Sequence, residues 1–306
     1  MNIFLPEGRL FELDENKENI EFLKRDDKEF PPKAIMEARA VLCDREHNLH
    51  VDLHGMTGII PREECILTDT PSNKEIAVIS RVNKPVMFIP ERYITLENGE
   101  RAVLLSRKNA QSFIRENYLD RLTPGDVIDA SVTRLEPFGA FCDVGAGVSA
   151  LLPIDNISVS RIPHPDSRFR NGDRIKAVVK SRDEYGRLVL SHKELLGTWE
   201  ENAALFSPGE TVPGIVRSIE EYGIFIELTP NLAGLAEYEG KVSLGDSAGV
   251  YIKSINPQKM KIKLIIVDYF PCPYSPDASK YFIESGHISH WVYSPDRCDK
   301  KIETFF

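Results

Sequence analysis

The chain has 306 residues, of which 42% are hydrophobic and 28% are charged, and its formal net charge is -9. This composition excludes a mainly disordered chain, and the length suggests two or three domains. The acidic balance also excludes a protein that depends only on nonspecific attraction to phosphate, so any nucleic-acid binding must rest on local basic patches and base stacking. Five widely spaced cysteines argue against a disulfide scaffold. With no signal peptide and no long apolar run, we expect a cytoplasmic protein.

Residues 1–30 form a polar segment with nine acidic and five basic side chains. Within it, residues 14–24 are predicted to form a short helix, because Ile20 and Leu23 give them a thin apolar side. Pro31 and Pro32 then break the chain.

Two later segments, 123–193 and 207–268, are internal repeats. Both open with Pro-Gly-Asp or Pro-Gly-Glu, continue with an aromatic-Gly-x-Phe step and a small-Leu step, and end in an alternating apolar strand. A more divergent copy occupies residues 31–108, with its fourth strand predicted at 76–81. Each copy reads as about five short strands, which is typical of a small antiparallel barrel.

The segments between the repeats have a different pattern. Residues 109–122 and 194–206 carry apolar side chains at helical spacing and are predicted to be helical linkers. The aromatic C-terminal extension, 269–306, is predicted to contain a hairpin over 281–293 that turns near Gly286. It is interpreted either as a cap on a neighbouring barrel or as a docking surface for a protein partner.

These repeats resemble the RNA-binding motif of bacterial ribosomal protein S1. The resemblance rests on the Gly-Asp start, the aromatic-Gly-x-Phe step, the small-Leu step and the closing Leu-Ser-His-Lys at 190–193. It covers 123–193 and 207–268 and, with fewer matching positions, 34–108. It implies an all-β protein of three tandem five-stranded OB-fold barrels joined by helical linkers.

Aromatic side chains are the first candidate RNA-binding residues. Phe138 and Phe141 are three positions apart, so a regular strand would point them to opposite faces. Gly139 permits a bend that re-aims one ring, so that both line the outer face and stack bases. The alternative is that both rings belong to the core. The resemblance carries this platform to Tyr222, Phe225, His47 and His50.

The motif's next platform position, often His in the family, holds Pro153, Glu237 and Pro61 here, which puts this part of the platform in doubt. Cationic support is expected from four side chains on the later strands of repeats two and three: Lys180, Arg187, Lys253 and Lys261.

The middle repeat has the most favourable charge for RNA. Residues 124–193 carry ten Arg and Lys against nine Asp and Glu, in a chain that is acidic overall. We predict that Arg168 and Arg170 contact phosphate, because they lie in a connection that flanks the binding groove of an OB barrel. The alternative is a solvated loop in which Asp166 and Asp173 pair with them.

The predicted function is binding of single-stranded RNA by base stacking, and the resemblance implies a link to the small ribosomal subunit or messenger RNA. The sequence has no phosphate loop, nucleophile elbow or zinc-protease motif, so we predict no enzyme, cofactor, metal or small-molecule substrate. His50, Asp52 and His54 leave a metal site open as an alternative. The other alternative is a protein-interaction scaffold built from degenerate OB repeats.

Overall fold

The computed structural model describes residues 4–25, 34–67, 74–237, 242–271 and 280–306. Its strands form three closed five-stranded barrels and one two-stranded sheet. The prediction of tandem OB-fold barrels is therefore confirmed. The predicted N-terminal helix is also confirmed, as α1 (Asp14–Leu23), in which Ile20 and Leu23 are buried.

The first barrel has the strand order β1-β2-β3-β5-β4. Its strands are β1 (Met36–Cys43), β2 (Leu49–Asp52), β3 (Thr57–Ile60), β4 (Pro85–Thr95) and β5 (Arg101–Ser106). Strand β3 pairs with β5 in parallel, which closes the barrel. The prediction of a strand at 76–81 is wrong, because Lys74–Ile79 form helix α2 and the fourth strand begins at Pro85. A short apolar run fits either element by periodicity alone.

The second barrel has the order β10-β8-β7-β6-β9. Its strands are β6 (Val127–Glu136), β7 (Gly139–Asp143), β8 (Ser149–Pro153), β9 (Arg174–Arg182) and β10 (Leu188–Ser191). Alternate residues of β6 face the core, where Ile128, Ala130 and Val132 are buried. This alternation is the period-two pattern of a strand with one wet face.

The third barrel repeats the design in the order β11-β12-β13-β15-β14. Its strands are β11 (Thr211–Glu220), β12 (Gly223–Thr229), β13 (Leu232–Ala236), β14 (Ser247–Asn256) and β15 (Lys261–Phe270). The first strand is irregular between Val216 and Ser218, and β1 is irregular at the matching place, between Ala40 and Leu42. Such bulges bend a strand and help a short sheet to close on itself.

The two linkers contain the predicted helices with shorter bounds. Helix α3 (Arg107–Asn117) is followed by a single 3-10 turn, Leu119–Arg121. In the second linker, a 3-10 turn at Lys193–Leu196 precedes helix α4 (Trp199–Ala203). Thr198 caps α4 reciprocally with Glu201, which fixes where that helix begins.

The described chain divides into two compact units. One contains the N-terminal segment, the first barrel and α3, together with residues 129–131 and 143–149 of the second barrel. The other contains the rest of the second barrel, the third barrel and the C-terminal segment. The domain boundaries drawn from the sequence stay a prediction.

A buried ion cluster ties the N-terminal segment into the first unit. The Glu7 carboxylate accepts hydrogen bonds from Arg107 at 2.7 and 3.0 Å and from Arg81 at 3.1 Å. Burial acts to raise the pKa of Glu7, but Arg107 and Arg81 hold it below its ordinary value. Gly147 leaves room for the cluster, since a Cβ there would lie 1.8 Å from Arg107 Nη2. The segment that looks merely polar in sequence is therefore anchored.

The C-terminal segment packs on the second unit. Ile288, Trp291 and Tyr293 are buried in the same cluster as the core of the third barrel. The predicted hairpin over 281–293 is wrong: β16 (His290–Val292) pairs with β17 (Glu303–Phe305) instead. The sequence alone does not identify which distant strand completes such a small sheet. This packing agrees with the interpretation of the extension as a cap.

Candidate nucleic-acid interface

The second barrel presents a pair of aromatic rings on its outer face. Along β7, Ala140 and Cys142 point into the core and Phe141 points outward, where it is half-buried. Phe138, just before β7, is 55% exposed. The two ring centroids are 5.9 Å apart and the planes are nearly perpendicular, at 87°. Both rings are thus on one side of the barrel wall, in an edge-to-face pair that leaves Phe138 accessible.

Gly139 makes this placement possible. A Cβ at Gly139 would lie 2.4 Å from the carbonyl oxygen of Leu152 and 3.0 Å from Cα of Pro153. The backbone of β7 can therefore approach β8 closely only where a side chain is missing. The Phe138 carbonyl accepts a hydrogen bond from Ile154 N at 3.0 Å, which fixes the backbone that carries the exposed ring.

The third barrel repeats this geometry. Tyr222 is 70% exposed, Phe225 is half-buried, and their centroids are 6.1 Å apart at 87°. A Cβ at Gly223 would lie 2.5 Å from the carbonyl oxygen of Ala236, so the same close approach recurs. Two sequence-distant repeats therefore build the same perpendicular pair.

The strand register adds a cation that the sequence interpretation missed. Phe225 lies opposite Leu235, and Leu235 lies opposite Lys263 on β15. Lys263 is exposed, as are the predicted residues Lys253 and Lys261. The signal was available, because β15 alternates exposed and buried residues and places Lys263 on the same face as Lys261.

At the matching positions of the first barrel, the described residues His47 and His50 do not form a ring pair. His47 lies in a tight turn with φ +64°. Nε2 of His50 instead lies 3.1 Å from Oδ2 of Asp44. Burial acts to raise the pKa of Asp44, but hydrogen bonds from Asn48 and His50 lower it to about 2. The two histidines remain a prediction for RNA binding.

In the second barrel, the expected cations are held in place by neighbours. Lys180 Nζ donates to Asn156 Oδ1 at 2.9 Å. Arg187 is exposed and its Nε donates to Asp183 Oδ2 at 2.7 Å. Its guanidinium carbon also lies 5.1 Å from the centroid of Tyr185. An exposed, pre-oriented guanidinium is well suited to a phosphate or a base.

Arg168 and Arg170 differ in their surroundings. The Arg168 side chain is only 1% exposed and pairs with Glu227, which also binds Arg217 at 2.9 and 3.1 Å. Burial lowers the pKa of Arg168. Because the Arg168 guanidinium is buried and paired with the Glu227 carboxylate, this placement counts against Arg168 as a phosphate contact. Arg170 is exposed, and its guanidinium donates to the carbonyl oxygens of Asp166 and Phe169.

The next platform position follows the departures seen in sequence. Pro153 ends β8 and is half-buried, Glu237 is exposed beyond β13, and Pro61 follows β3. None of these side chains can supply the imidazole that the family often carries. Within the described ranges, no group of three or more His, Cys, Asp or Glu side chains is arranged to hold a metal ion. No helix in that part of the chain is both long and apolar enough to cross a membrane.

Comparison with known proteins shows what the middle barrel is similar to. Residues 121–193 match the model of the S1 RNA binding domain. The middle barrel is therefore similar to an S1 RNA-binding domain. The small ribosomal subunit protein bS1 of Leuconostoc lactis is 28% identical to this chain over 236 residues, which cover 71% of this chain and 52% of that protein.

Other relatives carry the same description. The bS1 homolog of Bacillus subtilis is 32% identical over 148 residues, covering 46% of this chain and 38% of the relative. The chain thus spans about half or less of the length of these two relatives. A solved multidomain protein with nucleic acid binding domains from Streptococcus pneumoniae covers 77% of this chain and 73% of its own, at 14% identity and a TM-score of 0.25. A TM-score of this size does not support a comparison of the two whole chains.

Proposed function

We propose that this chain binds single-stranded RNA by stacking bases on the paired aromatic rings of its second and third barrels. The observation that carries the proposal is the repeated pair, Phe138 with Phe141 and Tyr222 with Phe225, at matching distances and angles on the outside of two barrels. Aromatic rings on an OB face hold bases of a single strand without needing a particular sequence.

The second barrel is proposed to bind more strongly than the third. It carries the cations Lys180 and Arg187, and its charge is close to balanced. The third barrel carries Lys253, Lys261 and Lys263, but Glu237 adds a negative charge that opposes phosphate. The bS1 relatives are proteins of the small ribosomal subunit, which supports the further proposal that the bound RNA is ribosomal or messenger RNA. The proposal assigns no catalytic step to the chain.

The test is fluorescence anisotropy with a labelled uridine-rich strand of about 12 nucleotides, within the site size of one or two OB folds. A duplex of the same length is the control. We expect binding to the single strand alone, with affinity falling as salt rises from about 50 to 200 mM, because phosphate contacts release counterions. Failure of the single strand to bind at low salt would contradict the proposal.

The Phe138→Ala/Phe141→Ala variant tests the platform directly. Each stacked base contributes about 1–3 kcal/mol, so the affinity should fall at least about tenfold. Both rings lie outside the core, so the circular dichroism spectrum should stay unchanged. The matched Tyr222→Ala/Phe225→Ala variant should lose less. Unchanged binding by both variants would reject base stacking on these rings.

A scaffold role is the second candidate. The first barrel favours it, because the barrel keeps its buried core while His47 and His50 form no ring pair. A protein partner held by apolar contacts would bind with little dependence on salt, whereas the affinity for RNA would fall as salt rises. Sedimentation with purified small ribosomal subunits, with and without nuclease treatment, distinguishes an RNA contact from a protein contact.

A further inference from the structure

The turn between β9 and β10 presents an aromatic ring that the proposed platform does not include. Tyr185 lies at the tip of this hairpin and is 71% exposed. Large apolar rings at single exposed positions are ordinary on protein surfaces. Two further observations distinguish Tyr185 from that background: the order of the turn that carries it, and the absence of a counterpart in the sister barrels.

The turn is held by one carboxylate. Oδ1 of Asp183 accepts hydrogen bonds from the backbone N–H of Tyr185 at 2.9 Å and of Arg187 at 2.8 Å. Its Oδ2 accepts from Arg187 Nε at 2.7 Å. The strand ends are joined by Asp183 N donating to Arg187 O at 2.9 Å. The backbone under the Tyr185 ring is therefore fixed before any ligand arrives, which lowers the cost of ordering it on binding.

The same carboxylate orients the cation beside the ring. Because Arg187 is held by Asp183, its guanidinium lies over the Tyr185 ring, 5.1 Å from the centroid. The pair presents an aromatic surface and a positive charge together, and those are the two groups that a nucleotide requires: a ring to stack the base and a cation for the phosphate.

The fold of the turn does not need a tyrosine. The corresponding connection of the first barrel reads Glu97-Asn98-Gly99-Glu100 and has no aromatic residue. In the third barrel, the connection between β14 and β15 is a 3-10 turn at Pro257–Lys259, again without one. Since both barrels close in the same way, closure does not explain Tyr185.

The turn that carries Tyr185 leads directly into β10, which belongs to the same sheet as the proposed platform. Strand β10 pairs with β8 at Val189 and Leu151, and β8 is the neighbour of β7, which carries Phe141. Val189, Leu151 and Phe141 are all half-buried, as members of the outer face. In OB folds, the connection at this position flanks the face that receives oligonucleotides. A single strand of RNA that runs from Phe141 across β8 and β10 therefore approaches the turn that carries Tyr185.

We propose that Tyr185 is an additional base-stacking residue of the middle barrel, which takes one more nucleotide of the single-stranded RNA held by Phe138 and Phe141. This inference rests on the proposed RNA-binding function. It predicts that the middle barrel holds a longer stretch of RNA than the third barrel, which has no ring at the equivalent tip.

The first test measures stacking by fluorescence. Both native tryptophans, Trp199 and Trp291, are buried, so a Tyr185→Trp variant adds the one exposed indole. We expect an unlabelled uridine-rich strand of about 12 nucleotides to quench the fluorescence of this indole on binding. The tryptophan fluorescence of the wild type should change little. Binding of the strand without quenching would overturn the proposal.

The second test compares strand lengths. Tyr185→Ala should weaken binding of the ~12-nucleotide strand about tenfold, as expected for the loss of one stacked base. A strand of about four nucleotides, the smallest OB site size, should lose less because it does not span both ends of the path. Phe305→Ala is the control, because Phe305 is an equally exposed ring, at 69%, that lies on β17 and not in the second barrel.

The outcomes separate the two proposals. If the wild type does not bind the ~12-nucleotide strand, RNA binding itself fails. If the wild type binds, and Tyr185→Ala affects both lengths no more than Phe305→Ala does, only the role of Tyr185 fails. A selective loss with the longer strand, restored by Tyr185→Phe, supports the assignment, because Phe keeps the ring.

Discussion

The buried ion cluster around Glu227 gives the sharpest test of how the second and third barrels are held together. Glu227 is on β12 and 3% exposed, and its carboxylate binds both Arg217 and Arg168. The Arg168 side chain comes from the long connection of the second barrel and is 1% exposed. Glu227→Gln keeps the shape of the side chain but leaves two guanidinium groups without a counter-charge.

The expected cost is large. Removing one partner from a buried ion pair typically destabilises a protein by about 3–5 kcal/mol, because the remaining charge stays in a poorly solvating place. Total stabilities of domains are about 5–15 kcal/mol, so the variant should unfold at a much lower urea concentration. Burial already lowers the pKa of Arg168 with Glu227 in place, which shows how poorly that site solvates a cation.

The assay follows tryptophan fluorescence during urea unfolding. Trp199 and Trp291 are both buried in the core cluster of this unit, so the signal reports on it rather than on the whole chain. The control is Glu303→Gln, because Glu303 also binds two basic groups, Lys301 and His290, but at the surface. We expect a much smaller shift for the control.

A double variant separates the loss of attraction from the burial of an unpaired charge. Arg168→Met combined with Glu227→Leu removes both buried members and should lose less stability than Glu227→Gln alone. If Glu227→Gln has the same urea midpoint as the Glu303→Gln control, the ion cluster contributes no more to stability than a surface pair. The argument against Arg168 as a phosphate contact is then wrong. If Glu227→Gln does not fold, the double variant still decides the question.

Three further predictions concern a buried histidine, a glycine and an acidic surface residue. Burial lowers the pKa of His192 to about 4, so the folded state binds fewer protons than the unfolded state between pH ~6.5 and ~4. The free energy of unfolding should therefore fall by about 2 kcal/mol from pH ~7 to pH ~5. His192→Gln should flatten this part of the plot of urea midpoint against pH. Gly139→Ala should weaken RNA binding and lower the thermal midpoint, because its Cβ would meet the Leu152 carbonyl, whereas Gly249→Ala, with no atom closer than 3.9 Å, should change the RNA affinity little. Glu237→Gln should raise RNA affinity a few-fold at low salt and not at high salt, because it removes an exposed negative charge beside the third platform; an equal change at both salt concentrations would contradict an electrostatic cause.

Local pattern was sufficient for the barrels. Turn residues, period-two alternation and repeated Pro-Gly starts are properties of short stretches, and they predicted three five-stranded units. The Phe138 and Tyr222 platforms were also predictable, because each rests on neighbours within a few residues, with Gly139 and Gly223 as the visible signal. The boundary between α2 and β4 was not, since a short apolar run does not distinguish helix from strand.

Long-range pairing was not accessible in the same way. Arg168 and Glu227 are 59 positions apart, and a basic loop looks the same in sequence whether it faces phosphate or an internal carboxylate. Glu7 and Arg107 are 100 positions apart, so the anchoring of the N-terminal segment was equally hidden. Lys263 is different: the alternation along β15 marks it as outward-facing, and the strand register then places it across Leu235 from Phe225.

The three barrels show that the residues which close an OB barrel and those which contact a ligand vary separately. All three keep inward apolar side chains and a parallel pairing between their third and fifth strands. The outward positions differ: Phe138 is part of a ring pair, Tyr222 repeats it, and His47 has none. Because inward residues determine stability and outward residues meet the solvent, a barrel can lose its platform without losing its fold. The first barrel is therefore free to serve another purpose, while the proposed RNA binding falls to the two barrels that keep the outward rings.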